Sequence, residues 1–245
     1  MTKTFSFTKT DRRTKQVQNV GSLQMSSSGN KAELFFYGDI CGSNWDVWMD
    51  DDRCPQDISD FLSDLSNFAE IDIHINSGGG DVFGGIAIYN ILKRHEGRKT
   101  VYIDGLAASI ASVIALCGDR VVMRSGAQFM IHKPWSWCVG DSDDMLKTAE
   151  LLEKIQNNIL DIYMDHVQDG VTREDIEAMV NAETWMNGTE AAKYFRMEVE
   201  TAAAAACASG CFGNYRNTPK SLTEQKPTTE QDVTLLQLEL ELLMM

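Results

Sequence analysis

The sequence predicts an α/β domain in which helices cover an inner sheet, and three features of its middle section carry that prediction. Ile71, Ile73 and Ile75 alternate with polar residues, as in a strand with one buried face. The glycine-rich loop 77–80 follows directly, and apolar residues at helical spacing come after it. A long amphipathic helix is expected over 142–166. Strands that alternate with helices in this way indicate βαβ-type organisation.

The remaining elements are predicted from shorter runs of the same two kinds of spacing. Thr172-x-x-Asp175 and Asn187-x-x-Glu190 resemble N-terminal capping boxes, so each is expected to begin a short helix. In chain order, the other predicted elements are strand 32–37, helix 57–68, strand 71–76, a helix around 86–92, strand 100–103 stopped by Asp104-Gly105, a small-residue helix 107–116, and strands 120–123 and 128–131.

Composition divides the chain into three parts. Residues 1–30 are polar and end in a Ser-Ser-Ser-Gly run, which predicts a flexible N-terminal arm. Residues 31–199 hold the predicted domain. Residues 200–245 are low in complexity, rich first in Ala, Gly and Ser and then in polar residues, and are expected to form a disordered C-terminal tail. Its last part, 233–245, is a short apolar segment suited to docking on another subunit as a helix or a strand.

The charge and the cysteine pattern exclude several classes of protein. A formal net charge of -14 opposes binding to nucleic acid or to an anionic membrane, and no apolar run is long enough to span a bilayer. The N-terminal residues lack the apolar core of a secretory signal. The six cysteines form neither a C-x-x-C pair nor a metal-ligand pattern, so we expect a reducing, cytoplasmic location, and no metal or cofactor.

Three motifs are candidates for chemistry, and the first is the glycine loop 77–80. Glycine lets a loop backbone approach a ligand closely, so the N–H groups of such a loop can bind an anion or a developing oxyanion. The glycine spacing fits neither a phosphate-binding loop nor a dinucleotide fingerprint. Taken alone, a triple glycine is most often a tight turn.

The second motif, GLAASIAS, places Ser109 among small residues at the beginning of a predicted helix. The helix dipole there favours negative charge, and small neighbours leave room for a substrate backbone beside the hydroxyl. The alternative is a tightly packed helix in which the hydroxyls of Ser109 and Ser112 bond back to carbonyls. Composition alone favours that alternative.

The third motif, FMIHKP, ends an apolar strand with His132. Histidine titrates near neutrality, which suits a general base, and a rigid strand can present it to a neighbouring loop. The alternative is a solvent-exposed histidine at a strand end. Trp135 and Trp137 either line a substrate groove or pack as structural aromatics. The histidines that neighbour no candidate reaction site in the sequence are His74, His95 and His166.

In the order NSGGG, GLAASIAS, MIHKP and ETW-x-x-x-x-EA, the motifs as a set resemble the proteolytic subunit of the Clp proteases, and more closely the Clp-related head maturation proteases of phages and prophages. The similarity covers about residues 31–199. It implies a crotonase-like fold of repeated ββα units with a long oligomerisation helix. By this resemblance Ser109 is the nucleophile and His132 its base. The main-chain N–H groups of Gly80 and Ile110 form the implied oxyanion hole.

The acid of the implied triad departs from the family pattern. The family usually places an aspartate two residues before an aromatic, whereas this sequence has a glutamate two residues before Trp185, so the resemblance carries the role to Glu183. Glutamate can orient an imidazole and stabilise its cation as aspartate does. The alternative is that Glu183 is a surface carboxylate that caps the next helix. The rivals for the acid, whose position favours capping the long helix, are Asp141, Asp143 and Asp144.

The resemblance implies a serine endopeptidase that hydrolyses peptide bonds through an acyl-enzyme. Its implied partners are protein or peptide substrates, including capsid or scaffold proteins, further copies of the chain in a heptameric or double ring, and a separate unfoldase ATPase. A phage-encoded chain would act in the cytoplasm of its bacterial host. Two other classes stay open. One is a catalytically silent Clp-like scaffold subunit, and the other is a crotonase-type acyl-CoA enzyme, which has no need of the serine and histidine motifs.

Overall fold

A computed structural model of the chain describes residues 2–10, 16–40, 55–201 and 210–223. Strands and helices alternate along most of these ranges, as the sequence predicts. The strands are β1 (Thr2–Thr10), β2 (Val17–Ser28), β3 (Lys31–Gly38), β4 (Glu70–Ser77), β5 (Arg98–Ala108), β6 (Arg120–Arg124), β7 (Gln128–Ile131), β8 (Thr184–Asn187) and β9 (Glu198–Glu200).

The helices lie between and after these strands. They are α1 (Pro55–Ser63), α2 (Val82–Arg94), α3 (Ile110–Ala115), α4 (Ser142–Met164), α5 (Arg173–Asn181), α6 (Gly188–Ala191) and α7 (Lys220–Thr223), with 3-10 helices at Asp64–Asn67 and Gly210–Asn214. Within the described ranges, no helix is both long and apolar enough to cross a membrane.

The strands form one sheet with the order β1-β2-β3-β4-β5-β6-β9. β1, β2 and β3 pair antiparallel, whereas β3, β4, β5, β6 and β9 pair in parallel. β5 changes its neighbour along its length: Thr100–Ile103 pair with β6, and Leu106–Ala108 pair with β7. β7 in turn pairs antiparallel with β8. The second half of β5 therefore has β7 beside it in place of β6, while Ala107 still pairs with Ser77 of β4.

A buried apolar cluster joins the sheet to its helices. The alternating isoleucines of β4 are completely buried, as their spacing predicts. α2 begins where a carboxylate oxygen of Asp81 accepts a hydrogen bond from the N–H of Gly84 at 2.6 Å. Every residue of α3 is buried, so this short helix lies inside the molecule. The two predicted capping boxes form and begin α5 and α6.

The prediction of a flexible arm over residues 1–30 is wrong for the part that the structure describes. β1 and β2 extend the sheet, and Phe5, Phe7, Leu23 and Met25 are no more than 4% exposed. In each strand the two apolar residues are separated by one polar residue, so both fall on the same face. A polar average composition therefore concealed two strands with one apolar face each.

The boundary predicted at Asp104-Gly105 is also wrong. β5 continues through both residues to Ala108, because its last three residues pair with β7. α3 consequently begins at Ile110 instead of residue 107, which places Ser109 in the turn between strand and helix. The helix predicted over 57–68 is divided in a similar way, into α1 and the 3-10 helix that follows it.

The prediction of disorder over 200–245 is wrong for residues 210–223. These residues form a 3-10 helix and α7, and Phe212 and Leu222 pack against a small buried cluster that includes Leu106 and Met130. Such contacts join parts of the chain that are far apart in sequence, so local composition did not reveal them. The apolar segment 233–245 lies outside the described residues.

Candidate active site

Ser109 occupies a strained turn between β5 and α3. Its φ is 55° and its ψ is −128°, a conformation that is costly for a residue with a side chain. Its N–H donates to the carbonyl of Met130 at 2.9 Å, so β7 holds the turn in place. The side chain makes no hydrogen bond that caps α3. The hydroxyl is therefore available to a neighbour outside its own helix.

That neighbour is His132, the first residue after β7. The Nε2 atom of its imidazole lies 2.7 Å from the hydroxyl oxygen of Ser109. β5 and β7 run in parallel, so the ends of the two strands bring serine and histidine to the same edge. A neutral imidazole with its proton on Nδ1 accepts the serine proton at Nε2. The sequence predicted this pair of residues, and the structure brings them together.

Burial controls the protonation of His132. Desolvation lowers the pKa of the imidazole below its ordinary value of 6.5, and the negative charge of Glu183 opposes this by raising it. Desolvation is the larger effect, so the imidazole is neutral at neutral pH. A neutral imidazole is the form that accepts a proton.

Glu183 lies close enough to act on the imidazole through its charge, yet its hydrogen bonds go elsewhere. One carboxylate oxygen accepts the N–H of Asn217 at 2.6 Å and the indole N–H of Trp185 at 3.5 Å, and the other accepts the N–H of Arg216 at 2.9 Å. Glu183 has a φ of 52°, which is unusual for a residue other than glycine. Among the described residues, His132 is not a hydrogen-bond donor to this carboxylate.

The glycine loop packs directly against the serine. A Cβ atom placed on Gly79 would lie 2.7 Å from the Cβ of Ser109, and one on Gly80 would lie 1.9 Å from the carbonyl oxygen of Ile40. Both glycines have a positive φ. No described residue accepts a hydrogen bond from the N–H of Gly80 or of Ile110. Both donors are therefore free beside the serine turn.

A pocket of about 310 Å³ opens in front of the serine and the histidine. Its walls are largely apolar, and Trp135 and Trp137 belong to them, as expected of residues that line a groove. Trp135 is 50% exposed and Trp137 is 86% exposed, so neither packs as a buried aromatic. The further apolar side chains of the wall are Val82, Phe83, Leu151, Leu152 and Ile155.

Part of this site comes from the segment after the predicted domain, which the sequence motifs do not indicate. Asn214 and Tyr215 line the pocket, and the ring of Tyr215 meets the imidazole of His132 edge to face, with 5.1 Å between ring centres. The hydroxyl of Tyr215 donates to the carbonyl of Gly78. The signal in the sequence for this contact is an aromatic residue within a polar segment.

The other candidates of the sequence analysis have structural partners. Asp141 accepts the N–H groups of Asp143 and Asp144, and the carboxylate of Asp144 accepts the N–H of Asp141, so two of the rival carboxylates cap α4 and the third lies in its first turn. Ser112 bonds back to the carbonyl of Ser109 at 2.5 Å and meets the buried hydroxyl of Tyr163 at 2.7 Å. The hydroxyl of Ser112 therefore bonds back to a main-chain carbonyl, whereas the hydroxyl of Ser109 contacts His132. Within the described ranges, no group of acidic, cysteine and histidine side chains has a geometry suited to a metal ion.

A serine and a histidine lie in contact at the carboxyl ends of neighbouring parallel strands, beside a glycine loop. This is the arrangement of a candidate nucleophile and its general base. A family model for Clp protease matches residues 56–195, which is more than half of the chain. The chain therefore belongs to the Clp protease family, as the motif set predicts.

Relatives and a solved structure agree with this assignment. The ATP-dependent Clp protease proteolytic subunit of Bacteroides fragilis is 30% identical over 137 residues, covering 55% of this chain and 65% of that protein. Subunit 1 of the corresponding protease of Chlamydia trachomatis is 33% identical over 124 residues, covering 49% and 64%. The chain thus matches slightly less than two thirds of the length of these relatives.

The fold prediction is confirmed by a structural match. A ClpP1 mutant from Listeria monocytogenes superposes with a TM-score of 0.56 at 22% identity, covering 69% of this chain and 91% of that chain. The crotonase-like, Clp protease-like architecture expected from the motifs is therefore the architecture of this chain.

Proposed function

We propose that this chain is a serine endopeptidase of the Clp proteolytic-subunit type. The observation that carries the proposal is the 2.7 Å contact between the hydroxyl of Ser109 and Nε2 of His132, made on a strained backbone beside a pocket. Backbone strain at a residue that faces a pocket is typical of catalytic positions. Membership of the Clp protease family supports the same reaction.

The first half of the reaction forms an acyl-enzyme. His132 takes the proton of Ser109 as the serine oxygen attacks the scissile carbonyl. The carbonyl oxygen becomes an anion, and the N–H groups of Gly80 and Ile110 donate to it. The protonated imidazole then gives its proton to the leaving amine, and the peptide bond breaks.

The second half releases the product. Water gives a proton to His132 as its oxygen attacks the acyl carbon, and the tetrahedral intermediate collapses when the imidazolium returns that proton to the oxygen of Ser109, which frees the serine and a new carboxyl terminus. In both halves the imidazole becomes a cation, which the negative charge of Glu183 stabilises. Glu183 acts here through its charge, since its hydrogen bonds are made to other groups.

Labelling with a fluorophosphonate probe tests the proposal and separates it from its alternatives. We expect the wild-type chain to be labelled at Ser109 and to hydrolyse casein, whereas Ser109→Ala should fold normally and do neither. An unlabelled wild-type chain would favour the silent scaffold. Casein hydrolysis that survives Ser109→Ala would show that a different group is the nucleophile, and thioester turnover without labelling would favour the acyl-CoA enzyme.

The same proposal includes assembly into a homo-oligomeric ring. Large apolar side chains are exposed on and next to α4, including Val139 at 96% and Leu146 at 63%. Patches of this kind mark contacts between proteins. Sedimentation velocity tests this, because Leu146→Asp should reduce the assembled fraction while the neighbouring exposed Lys147→Ala should not. A wild-type chain that stays monomeric at all concentrations would refute the ring.

The proposal also includes a separate unfoldase ATPase as a partner, because a folded substrate must be unfolded before it can enter the pocket. A pocket of about 310 Å³ accepts an extended peptide but not a folded domain. The chain alone should therefore cut short peptides and unfolded casein and leave a stably folded protein intact. Cleavage of the folded protein at a comparable rate would remove the need for this partner.

Capsid or scaffold proteins are the substrates that we propose, on the resemblance of the motif set to head maturation proteases. The composition of the residues after Thr201 supports this, whereas residues 1–30 no longer do, since β1 and β2 belong to the sheet. Mass spectrometry of capsid and scaffold proteins incubated with the wild-type chain and with Ser109→Ala tests the idea. Cleavage restricted to casein would contradict it.

A further inference from the structure

The acid of the proposed triad is held by a segment that lies outside the region matched by the family model. Asn217 contacts Glu183 and its neighbour in three ways. Its main-chain N–H donates to the carboxylate of Glu183 at 2.6 Å. Its side-chain amide donates to the carbonyl of Ala182 at 2.9 Å and to the carbonyl of Glu183 at 3.2 Å. One residue of the tail thus holds both the backbone and the carboxylate of the acid.

Glu183 has physical reasons to need such support. Its positive φ is a costly backbone conformation that surrounding contacts must maintain. Its side chain has one more rotatable bond than aspartate, so an unrestrained carboxylate would occupy several positions. The imidazole does not restrain it, because the hydrogen bonds of the carboxylate go to residues 185, 216 and 217.

The tail segment is itself anchored across the site. The ring of Tyr215 lies between the imidazole of His132 and the indole of Trp185, at 5.1 and 5.9 Å between ring centres. Its hydroxyl donates to the carbonyl of Gly78. Phe212, Tyr215 and Leu222 pack against the small buried cluster of Leu106, Ala108 and Met130. These contacts fix the main chain that presents two successive N–H groups to Glu183.

We infer that Asn217 is a positioning residue for the proposed catalytic acid. It fixes the carboxylate of Glu183 where its negative charge acts on the imidazole of His132, and so supplies through the tail the restraint that a direct hydrogen bond to the histidine would otherwise provide. The inference rests on the proposed function, and one of its measurements is independent of catalysis.

The contrary interpretation is that the segment inhibits the enzyme. Asn214 and Tyr215 line the pocket, so the segment narrows the space for substrate. The two interpretations predict opposite signs: loss of the Asn217 contacts lowers the turnover number if the residue positions the acid, and raises it if the segment blocks the site.

The test compares Asn217→Pro, which removes the main-chain donor and the side-chain amide, with Asn217→Ala, which removes the amide alone. Gly213→Ala is the matched control, because it lies in the same segment and its added Cβ meets nothing within 4 Å. Circular dichroism confirms that each variant is folded. Casein hydrolysis gives kcat and KM, and NMR titration of the imidazole gives the pKa of His132.

We expect Asn217→Pro to lower kcat about tenfold or more, with little change of KM, because misplacing a catalytic group affects the reaction more than the binding of substrate. The pKa of His132 should fall, since the charge of Glu183 raises it. Asn217→Ala should change both quantities in the same direction and by less. In a Glu183→Gln background, Asn217→Pro should change the pKa of His132 no further, because the charge that it positions is gone.

An unchanged kcat and an unchanged pKa in a folded Asn217→Pro would overturn the inference, and a raised kcat would replace it with the inhibitory interpretation. Failure of the proposed function has a different signature, namely no Ser109-dependent hydrolysis in the wild-type chain. In that case the NMR titration of His132 still tests whether Asn217 positions the carboxylate of Glu183. A pKa of His132 that is lower in Asn217→Pro supports positioning, and equal values in the two proteins overturn it.

Discussion

Two histidines of this molecule lie next to a carboxylate, and their surroundings differ in an instructive way. His74, on β4, has its Nδ1 atom 2.9 Å from a carboxylate oxygen of Asp104, which also accepts the hydroxyl of Tyr37 at 3.0 Å. Its ring is stacked between Phe35 and Tyr102, at 4.7 and 5.1 Å between ring centres. Within the described part of the chain, no acid makes such a direct bond to His132, whose Nε2 atom instead lies 2.7 Å from a serine hydroxyl.

The comparison teaches that a histidine–carboxylate contact is a poor indicator of a reactive site. His74 has the better acid partner, since its Nδ1 atom contacts a carboxylate oxygen, but aromatic rings cover the two faces of its imidazole. Burial, together with the charge of Asp104, raises the pKa of Tyr37 to about 12, so that hydroxyl stays protonated and serves as a donor. At His132, a strained serine turn and an open pocket adjoin the imidazole, and these features distinguish the proposed active site from the surroundings of His74.

Exchanging each histidine for glutamine should give the largest difference between the two regions. His132→Gln removes the proposed base and should lower kcat/KM about a thousandfold. His74→Gln retains a side-chain N–H donor for Asp104 and should change kcat/KM by about twofold or less. Steady-state hydrolysis of casein measures both. Losses of similar size would mean that the two histidines belong to one functional network.

A Cβ atom added to the glycine loop beside Ser109 should cause the second largest loss of activity. The Cβ of Gly79→Ala would lie 2.7 Å from the Cβ of Ser109, so the serine must shift, and we expect kcat to fall about a hundredfold. Gly29→Ala is the control, because Gly29 also has a positive φ, while its added Cβ meets nothing within 4 Å. Normal turnover in Gly79→Ala would show that the serine turn tolerates displacement.

The pH dependence of kcat/KM should report the burial of His132. Desolvation lowers the pKa of this imidazole, so activity should be lost on acidification with an apparent pKa below 6.5 and should stay level above it. Glu183→Gln should shift this limb to still lower pH, because the charge that raises the pKa is removed. A limb above 6.5 would mean that the charge of Glu183 outweighs desolvation.

Folding stability should follow the same titration. The folded-state pKa of His132 lies below the unfolded value, so the unfolded chain binds more protons between the two. The free energy of unfolding should therefore fall as the pH drops through 6.5 towards the folded-state pKa. Urea titrations of the wild-type chain and of His132→Gln measure this component, which is absent from the variant. Equal pH dependence in the two proteins would contradict the assignment.

The smallest effect on activity is expected at Asp104, the partner of His74, where a substitution should lower stability and leave kcat unchanged. Asp104→Asn weakens the bonds to His74 and Tyr37 and should lower the free energy of unfolding by about 2 kcal/mol without affecting kcat. The more exposed ion pair of Lys31 and Asp72 provides the control, since Asp72→Asn should cost about 0.5 kcal/mol. Urea denaturation compares the two. A fall in kcat for Asp104→Asn would link this network to the reaction.

Local patterns predicted the centre of the fold and half of the site. The alternating isoleucines of β4 and the spacing of α4 were sufficient for those elements, and the motif set paired Ser109 with His132. The course of β5 beyond Gly105 was not predictable locally, because its pairing with β7 depends on a strand about twenty residues later.

The acid end of the site shows the same limit. The carboxylate of Glu183 is held by residues 216 and 217, more than thirty positions away in sequence, within a segment whose composition predicts disorder. The hairpin of β1 and β2 was missed for a different reason, since only two apolar side chains of each strand are buried in the core: Phe5 and Phe7 in β1, and Leu23 and Met25 in β2. Average composition concealed a short period-two pattern there.

The exchange of partners in the middle of β5 makes the spacing between Ile103 and Ser109 a functional quantity. Ile103 is in register with β6, while Leu106–Ala108 are in register with β7. One residue inserted between Leu106 and Ser109 would shift the serine relative to β7 and turn its hydroxyl away from the histidine, although no residue of the site had been changed. The length of this stretch therefore constrains the chemistry as firmly as the identity of the serine does.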